Sequence, residues 1–494
     1  MVPAMKRGGG RREVVLLEGD DDVTAQPPPA RHRRVRRRWI AVGAAAVALA
    51  LVGAQLVLNA RQEAAVARLV ADPGVFPPLG DELVVVRTLT AAEQSGIWQS
   101  VQIGPARTAG VLVGDDGSQS FVGTDHRTGE ALWSTPLLGP HAERAASRDH
   151  TFGGGCQADT APGELATVAV CTVTDGYEFN GGAARVQGTS SRVVVLDTGD
   201  GHVITEWDVE EAAEVAVLPG LAVVGTCDGE SGIDIVAHDV VTGDERWRYG
   251  QPADDGRADI NTDGPMQRGS LFRAGDVVAC FDGGTLTLLS ATGSPVRASL
   301  KPAGGGQGLV LNKVTGSLAV ATYAGTGARI TTVLAADADP GLDLVVEGDL
   351  LIPIVDDGSV PGLVLTALGQ VHAWDRRSGK QVWEADADVR PYADALVARG
   401  RVYLTTSSGV AALDGRTGEV VWRTELPSLE PGLFAMDGRD LLVSSSHVPG
   451  SLIALDALTG DEIRSIPYPK GVEGIVLLHG LLLGLSREGT TFLE

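Results

Sequence analysis

One turn recurs along the second part of this chain, and it limits the available folds more than any other feature. It reads Asp, three residues, Gly, three residues, Trp. Complete copies stand at Asp125/Gly129/Trp133, Asp239/Gly243/Trp247, Asp375/Gly379/Trp383 and Asp414/Gly418/Trp422. Looser ones stand at Asp197/Gly201/Trp207, Ser290/Gly293/Arg297, Asp337/Gly341 and Asp456/Gly460/Arg464. The first positions are spaced by 72, 42, 51, 47, 38, 39 and 42 residues. An Asp carboxylate accepts backbone N–H bonds at the start of a hairpin turn, and Gly takes the φ > 0 position that other residues resist. Apolar runs flank each turn, such as Ala411-Ala412-Leu413 before and Val420-Val421-Trp422 after.

One unit of about four strands therefore repeats, and convincing helices are absent from this region. A single such sheet cannot hide both faces. A ring of them can, each packed on the next at roughly 10 Å, so a period of 40–50 residues predicts an all-β fold: a β-propeller of about eight four-stranded blades, with seven to nine compatible with the count. Residues 475–494 offer three more strands with no outer strand after them. The missing strand is expected from the amino side, from the run Leu83-Val84-Val85-Val86 or from around Ile97-Trp98, because closure removes an exposed edge.

The segments Ala373-Trp374-Asp375-Arg376-Arg377-Ser378-Gly379-Lys380-Gln381-Val382-Trp383 and Ala412-Leu413-Asp414-Gly415-Arg416-Thr417-Gly418-Glu419-Val420-Val421-Trp422 resemble the tryptophan-docking repeat of the pyrroloquinoline-quinone-like propeller family. The resemblance covers residues 83–494. It implies that Trp133, Trp207, Trp247, Trp383 and Trp422 are structural docking side chains wedged between blades. It also raises an enzymatic alternative, since quinoprotein dehydrogenases of the family hold a redox quinone and calcium, with an Asp as base. Those enzymes carry a vicinal cysteine pair and long inserted loops. Here Cys156, Cys171, Cys227 and Cys280 are all apart and most connections are short, so neither catalytic residues nor bound quinone is expected.

The part before the repeats has a different chemistry. Residues 39–58 carry no charge and one amide, Gln55, and twenty helical residues cover roughly 30 Å, the thickness of a bilayer core. We assign 39–59 as a transmembrane helix. Arg31, Arg33, Arg34, Arg36, Arg37 and Arg38 precede it, which by the positive-inside rule places the amino terminus in the cytoplasm and the repeats outside. Its length exceeds the apolar core of a cleaved signal peptide, although Ala65-Val66-Ala67 would suit a peptidase. Residues 1–38, with Gly8-Gly9-Gly10 and Pro27-Pro28-Pro29, read as a disordered basic cytoplasmic tail, and 60–82 as a stalk or linker.

Charge supports the division. The chain has 40 Lys+Arg against 63 Asp+Glu, a net of −23; residues 1–38 hold ten against five, or +5, leaving −28 beyond them. Nucleic acid is excluded as a partner of the body. In an oxidising compartment the cysteines should pair, Cys156 with Cys171 as a staple on an insertion and Cys227 with Cys280 between consecutive repeats. Asp259, Asn261 and Asp263 fit the first half of a calcium loop whose acidic twelfth position is replaced by Ser270. The expected protein is a single-pass, membrane-tethered, extracytoplasmic propeller that binds or scaffolds an envelope protein without catalysis. A quinoprotein oxidoreductase and an extracellular sensor are the alternatives.

Overall fold

The computed structural model describes residues 69, 74–76 and 79–494, apart from 147–154, 161–163, 180–183, 187, 211–212, 229–231, 253–269, 282–284, 301–306, 312–317, 324–328, 336–338, 390–392, 427–432 and 445–449. The tail and the 39–59 helix lie outside the described residues. Among those that are described, no helix is long and apolar enough to cross a membrane.

The repeats form nine blades, one more than the eight turns suggest. In sequence they are 101–138, 156–208, 214–251, 270–300, 307–347, 349–385, 395–425, 434–467 and 474–493, the last completed by Val85–Thr88. The ninth escapes a count of turns for a physical reason. Its outer strand comes from the amino side, so no turn joins its third strand to its fourth. Val85–Thr88 pairs antiparallel with Gly489–Leu493, Val85 opposite Leu493 and Thr88 opposite Thr491. The first of the two expected runs thus closes the ring, while the second belongs to a short helix, Ala91–Ile97, and its cap Trp98.

Each junction between neighbouring blades has its own apolar cluster. Leu196, Cys171, Phe121 and Ala109 join blades one and two, and Leu404, Leu413, Ala373 and Trp383 join six and seven. Leu481, Leu483 and Phe492 of blade nine meet Ile97 and Ala106 beside blade one, so the ring is closed. Third strands are covered on both faces and read as unbroken apolar runs. Val193, Val194, Val195 and Leu196 are all fully buried. Outer strands alternate with solvent, as in Ala131–Leu138.

The turn works through the predicted contacts. The Gly N–H donates to the carbonyl of the Asp four residues before it at 2.7–2.9 Å in the turns at Asp125, Asp197, Asp239, Asp375 and Asp414. The Asp side chain accepts the next N–H groups, Arg416 and Thr417 on Asp414 at 2.9 and 3.0 Å, for example. Gly418 has φ +72° and Gly460 +78°. The proposed copy at Asp337/Gly341 departs from this pattern. Pro340–Leu342 forms a single 3-10 turn there, and Asp339 accepts the Gly341 N–H instead.

Two further features were not legible from the turns. The inner strand of blade six divides: Asp349–Leu350 pairs within blade six, and Pro353–Asp356 then runs parallel to Ala395–Ala398 as a fifth strand of blade seven. Within the stretch read as stalk, Leu69, Val75, Phe76 and Leu79 are buried among residues of blades seven to nine.

Candidate functional site

Strand direction divides the ring into two faces. Inner strands run from one face to the other and the remaining strands alternate, so the Asp turns and the hairpins between first and second strands share one face. Connections between blades, and between second and third strands, share the opposite one. Several described segments outside the blades fall on that opposite face: the helices Ala91–Ile97 and Ala142–Ala146, and the hairpin Tyr177–Phe179 with Ala184–Val186. Trp98 projects there and is half exposed.

The turn face is committed to packing. Trp133 lies on Gly201, Trp247 on Gly293, Trp383 on Gly418 and Trp422 on Gly460, each so close that a Cβ on the glycine would stand 2.3–2.6 Å from the ring. Indole N–H groups of Trp247, Trp383 and Trp422 donate to Ala291, Gly415 and Ala457 carbonyls at 2.9, 3.1 and 3.3 Å. Trp207 stacks on His238, centroids 4.6 Å apart, while Thr205 faces Gly243. In blades four and nine an Arg takes the place of Trp, and in blade five Leu344 stands beside Gly379 instead. Arg297 pairs with Asp343 at 2.7 Å, and Arg87 donates to the His126 carbonyl at 2.9 Å. These Arg positions carry no Trp signature; the recurring offset from the turn points to Arg297, whereas no turn precedes Arg87.

Arg87 also centres a buried polar network at the closing seam. Its guanidinium grips Glu93 through two bonds of 2.9 and 2.7 Å and donates to His126 Nδ1 at 3.1 Å. That leaves His126 Nε2–H to donate to Thr108 Oγ1 at 2.8 Å. A cavity of about 10 Å³ adjoins the network, lined by Ser100, Thr108, Thr124 and His126 among others. Burial, then the Arg87 charge, holds the imidazole down to about 4. Burial pushes the Glu93 carboxyl up, but bonds from Arg87 and Thr90 more than offset this and leave it below its ordinary value. With both ring nitrogens engaged, His126 is a fastening and not a base. His126 stays neutral in the fold, whereas in the unfolded chain it takes a proton near 6.5. Its contribution is complete above that pH and is lost as pH falls toward about 4, with Arg87, Glu93, Asp125 and His479 setting the local field. The urea midpoint should fall through this window more steeply in the wild type than in His126→Gln; equal slopes would contradict the assignment.

Both disulfides are present. Cys156 and Cys171 face each other on the two inner strands of blade two, Cα atoms 4.1 Å apart. The bridge is thus within the blade and does not staple an insertion. Cys227 and Cys280 join the second strands of blades three and four at a Cα separation of 5.8 Å. Sheets about 10 Å apart come that close only toward the axis. No cysteine among them is vicinal to another, so the pair that quinoprotein sites carry has no counterpart in this donor set. Asp159, Glu214, Asp356 and Asp394 have carboxyls pushed up by burial, but they stand on separate blades or loops. Asp259, Asn261 and Asp263 lie outside the described residues. Asp197, Asp200 and His202 approach one another in the exposed second turn, where His202 and Asp200 bond at 2.6 Å.

The fold and its junctions define a class: a nine-bladed propeller built from quinoprotein-like repeats. Residues 316–474 match the PQQ-type family described as outer membrane protein assembly factor BamB. The chain is similar to 1-butanol dehydrogenase (quinone) of Thauera butanivorans, 32% identical over 146 residues, a match covering 24% of this chain and 23% of that enzyme. It therefore spans less than a quarter of this relative. Among solved structures it resembles BamB from Moraxella catarrhalis, with 16% identity, a TM-score of 0.41 and coverage of 83% of this chain and 99% of that one. The quinohemoprotein alcohol dehydrogenase from Comamonas testosteroni aligns at 13% identity and a TM-score of 0.37, covering 86% and 79%.

Proposed function

We propose that this protein is a membrane-tethered, extracytoplasmic propeller that binds or scaffolds an envelope protein and performs no chemistry itself. The observation that carries the reading is the division of labour between faces. Turns, docking side chains and their hydrogen bonds occupy one face, while the helices, the hairpin and exposed Trp98 gather on the other. Propeller loops vary without disturbing the ring, so insertions collected on one face mark a binding surface, and an exposed Trp is a common anchor at such surfaces. The family description names the outer membrane protein assembly factor BamB; what we carry to this chain is the coarser role of engaging another envelope protein. A body charge of −28 favours a basic or neutral partner surface.

The tether rests on residues 39–59 and the arginines before them. All four native cysteines are in disulfides, so a new thiol reports cleanly. Gly8→Cys should react with an impermeant reagent only after lysis, while a tag after Glu494 should be reached by antibody on intact protoplasts. The inverse pattern would overturn the orientation.

A further inference from the structure

In the ninth blade the third and fourth strands come from opposite ends of the described chain, so the turn that receives a docking side chain elsewhere has no place to form. Blade eight nevertheless presents a docking residue, Arg464, at the position of Trp422 in the preceding repeat. Its guanidinium donates to the Leu79 carbonyl at 2.9 Å, the Gly80 carbonyl at 3.2 Å and Asp81 Oδ1 at 2.9 Å. In earlier blades the indole N–H meets a turn carbonyl in the same way.

The contact continues along the same stretch. Phe76 N–H donates to the Met436 carbonyl at 2.8 Å at the end of blade eight's inner strand. Val84 and Glu494 exchange two backbone bonds of 2.8 and 3.1 Å. Leu69 and Val75 sit in the cluster between blades seven and eight, and Phe76, Leu79 and Leu83 in the one between eight and nine.

We infer that Leu79–Gly80–Asp81 serves as the ninth docking turn, and that the segment leading from the tether is a strap holding the ring shut on its turn face. The strand Val85–Thr88 supplies pairing, but Arg464 and the buried side chains of Leu69, Val75, Phe76, Leu79 and Leu83 hold that strand against blade eight. Processing before Leu69 would release the ring intact. Severing the chain inside the strap would loosen its last blade.

The test uses the full chain in detergent with a specific protease site inserted after Ala67 or after Gly80, each compared before and after cutting by amide hydrogen exchange. Cutting after Ala67 should change nothing. Cutting after Gly80 should speed exchange roughly tenfold or more at 85–88 and 489–493 while leaving blades two to four as they were. Arg464→Gln, with no insertion, should produce the same local pattern and keeps the test decisive if an inserted site disturbs folding. Unchanged protection at 489–493 after the second cut and in Arg464→Gln, or acceleration spread evenly through all blades, would overturn the inference.

Discussion

Replacing Trp422 with alanine should destabilise the ring by about 3–5 kcal/mol, the range for truncating a large buried aromatic side chain. The ring is nearly buried, its Nε1–H donates to the Ala457 carbonyl at 3.3 Å, and its face packs on Gly460 and beside Tyr403. Alanine removes all three contacts and leaves a slot between blades seven and eight, whose walls are strands that cannot collapse into it. Gly460→Ala attacks the same junction from the other side. Its φ of +78° strains any other residue, and the new methyl would meet the indole at 2.5 Å. The two changes should be far from additive, because either one already unseats the dock. Chemical denaturation measures both. A cost below about 1 kcal/mol for Trp422→Ala would mean that docking is incidental to the ring.

The second large effect concerns binding. Removing residues 177–186 should abolish recovery of the crosslinked partner from intact membranes and leave thermal stability nearly unchanged. The hairpin pairs only with itself, Tyr177 opposite Val186 and Phe179 opposite Ala184. Beneath it, Asp175 closes the base by accepting the N–H groups of Thr189 and Ser190 at 2.8 and 2.9 Å. Those bonds survive the excision, so blade two keeps its register between Val168–Thr174 and Ser191–Asp197. A two-stranded hairpin is marginal by itself and contributes little to the fold. Undiminished recovery from the shortened protein would exclude the hairpin as part of the docking surface.

How far the sequence could be read follows from which interactions are local. Asp125, Gly129 and their counterparts write the turn within five residues, so strand content, period and ring were legible. The pairing of Val85–Thr88 with Gly489–Leu493 joins residues some four hundred positions apart, and only the incomplete last blade hinted at it. Nine blades lay within the expected seven to nine, but the turns alone counted eight because a blade closed by a distant strand has no turn to count. Arg87, Arg297 and Arg464 were harder still. Their docking role depends on carbonyl groups of the next blade; Arg297 and Arg464 stand at the Trp position of looser turns, but no turn precedes Arg87. The cysteines show the same limit: both pairs were expected, but the place of Cys156 on the inner strand of blade two, directly opposite Cys171, depends on the register of two strands. The closing-seam network was unreadable, since Glu93, Thr108 and His126 meet only when the ring shuts.

The central claim is that a partner is engaged by the face opposite the turns. It is tested most directly by placing a photo-crosslinking amino acid at Trp98 on one face or at Leu458 on the other, both well exposed, and irradiating intact cells. The account predicts a discrete, reproducible protein adduct from position 98 and none from position 458. An adduct formed from 458 while 98 stays silent would contradict it.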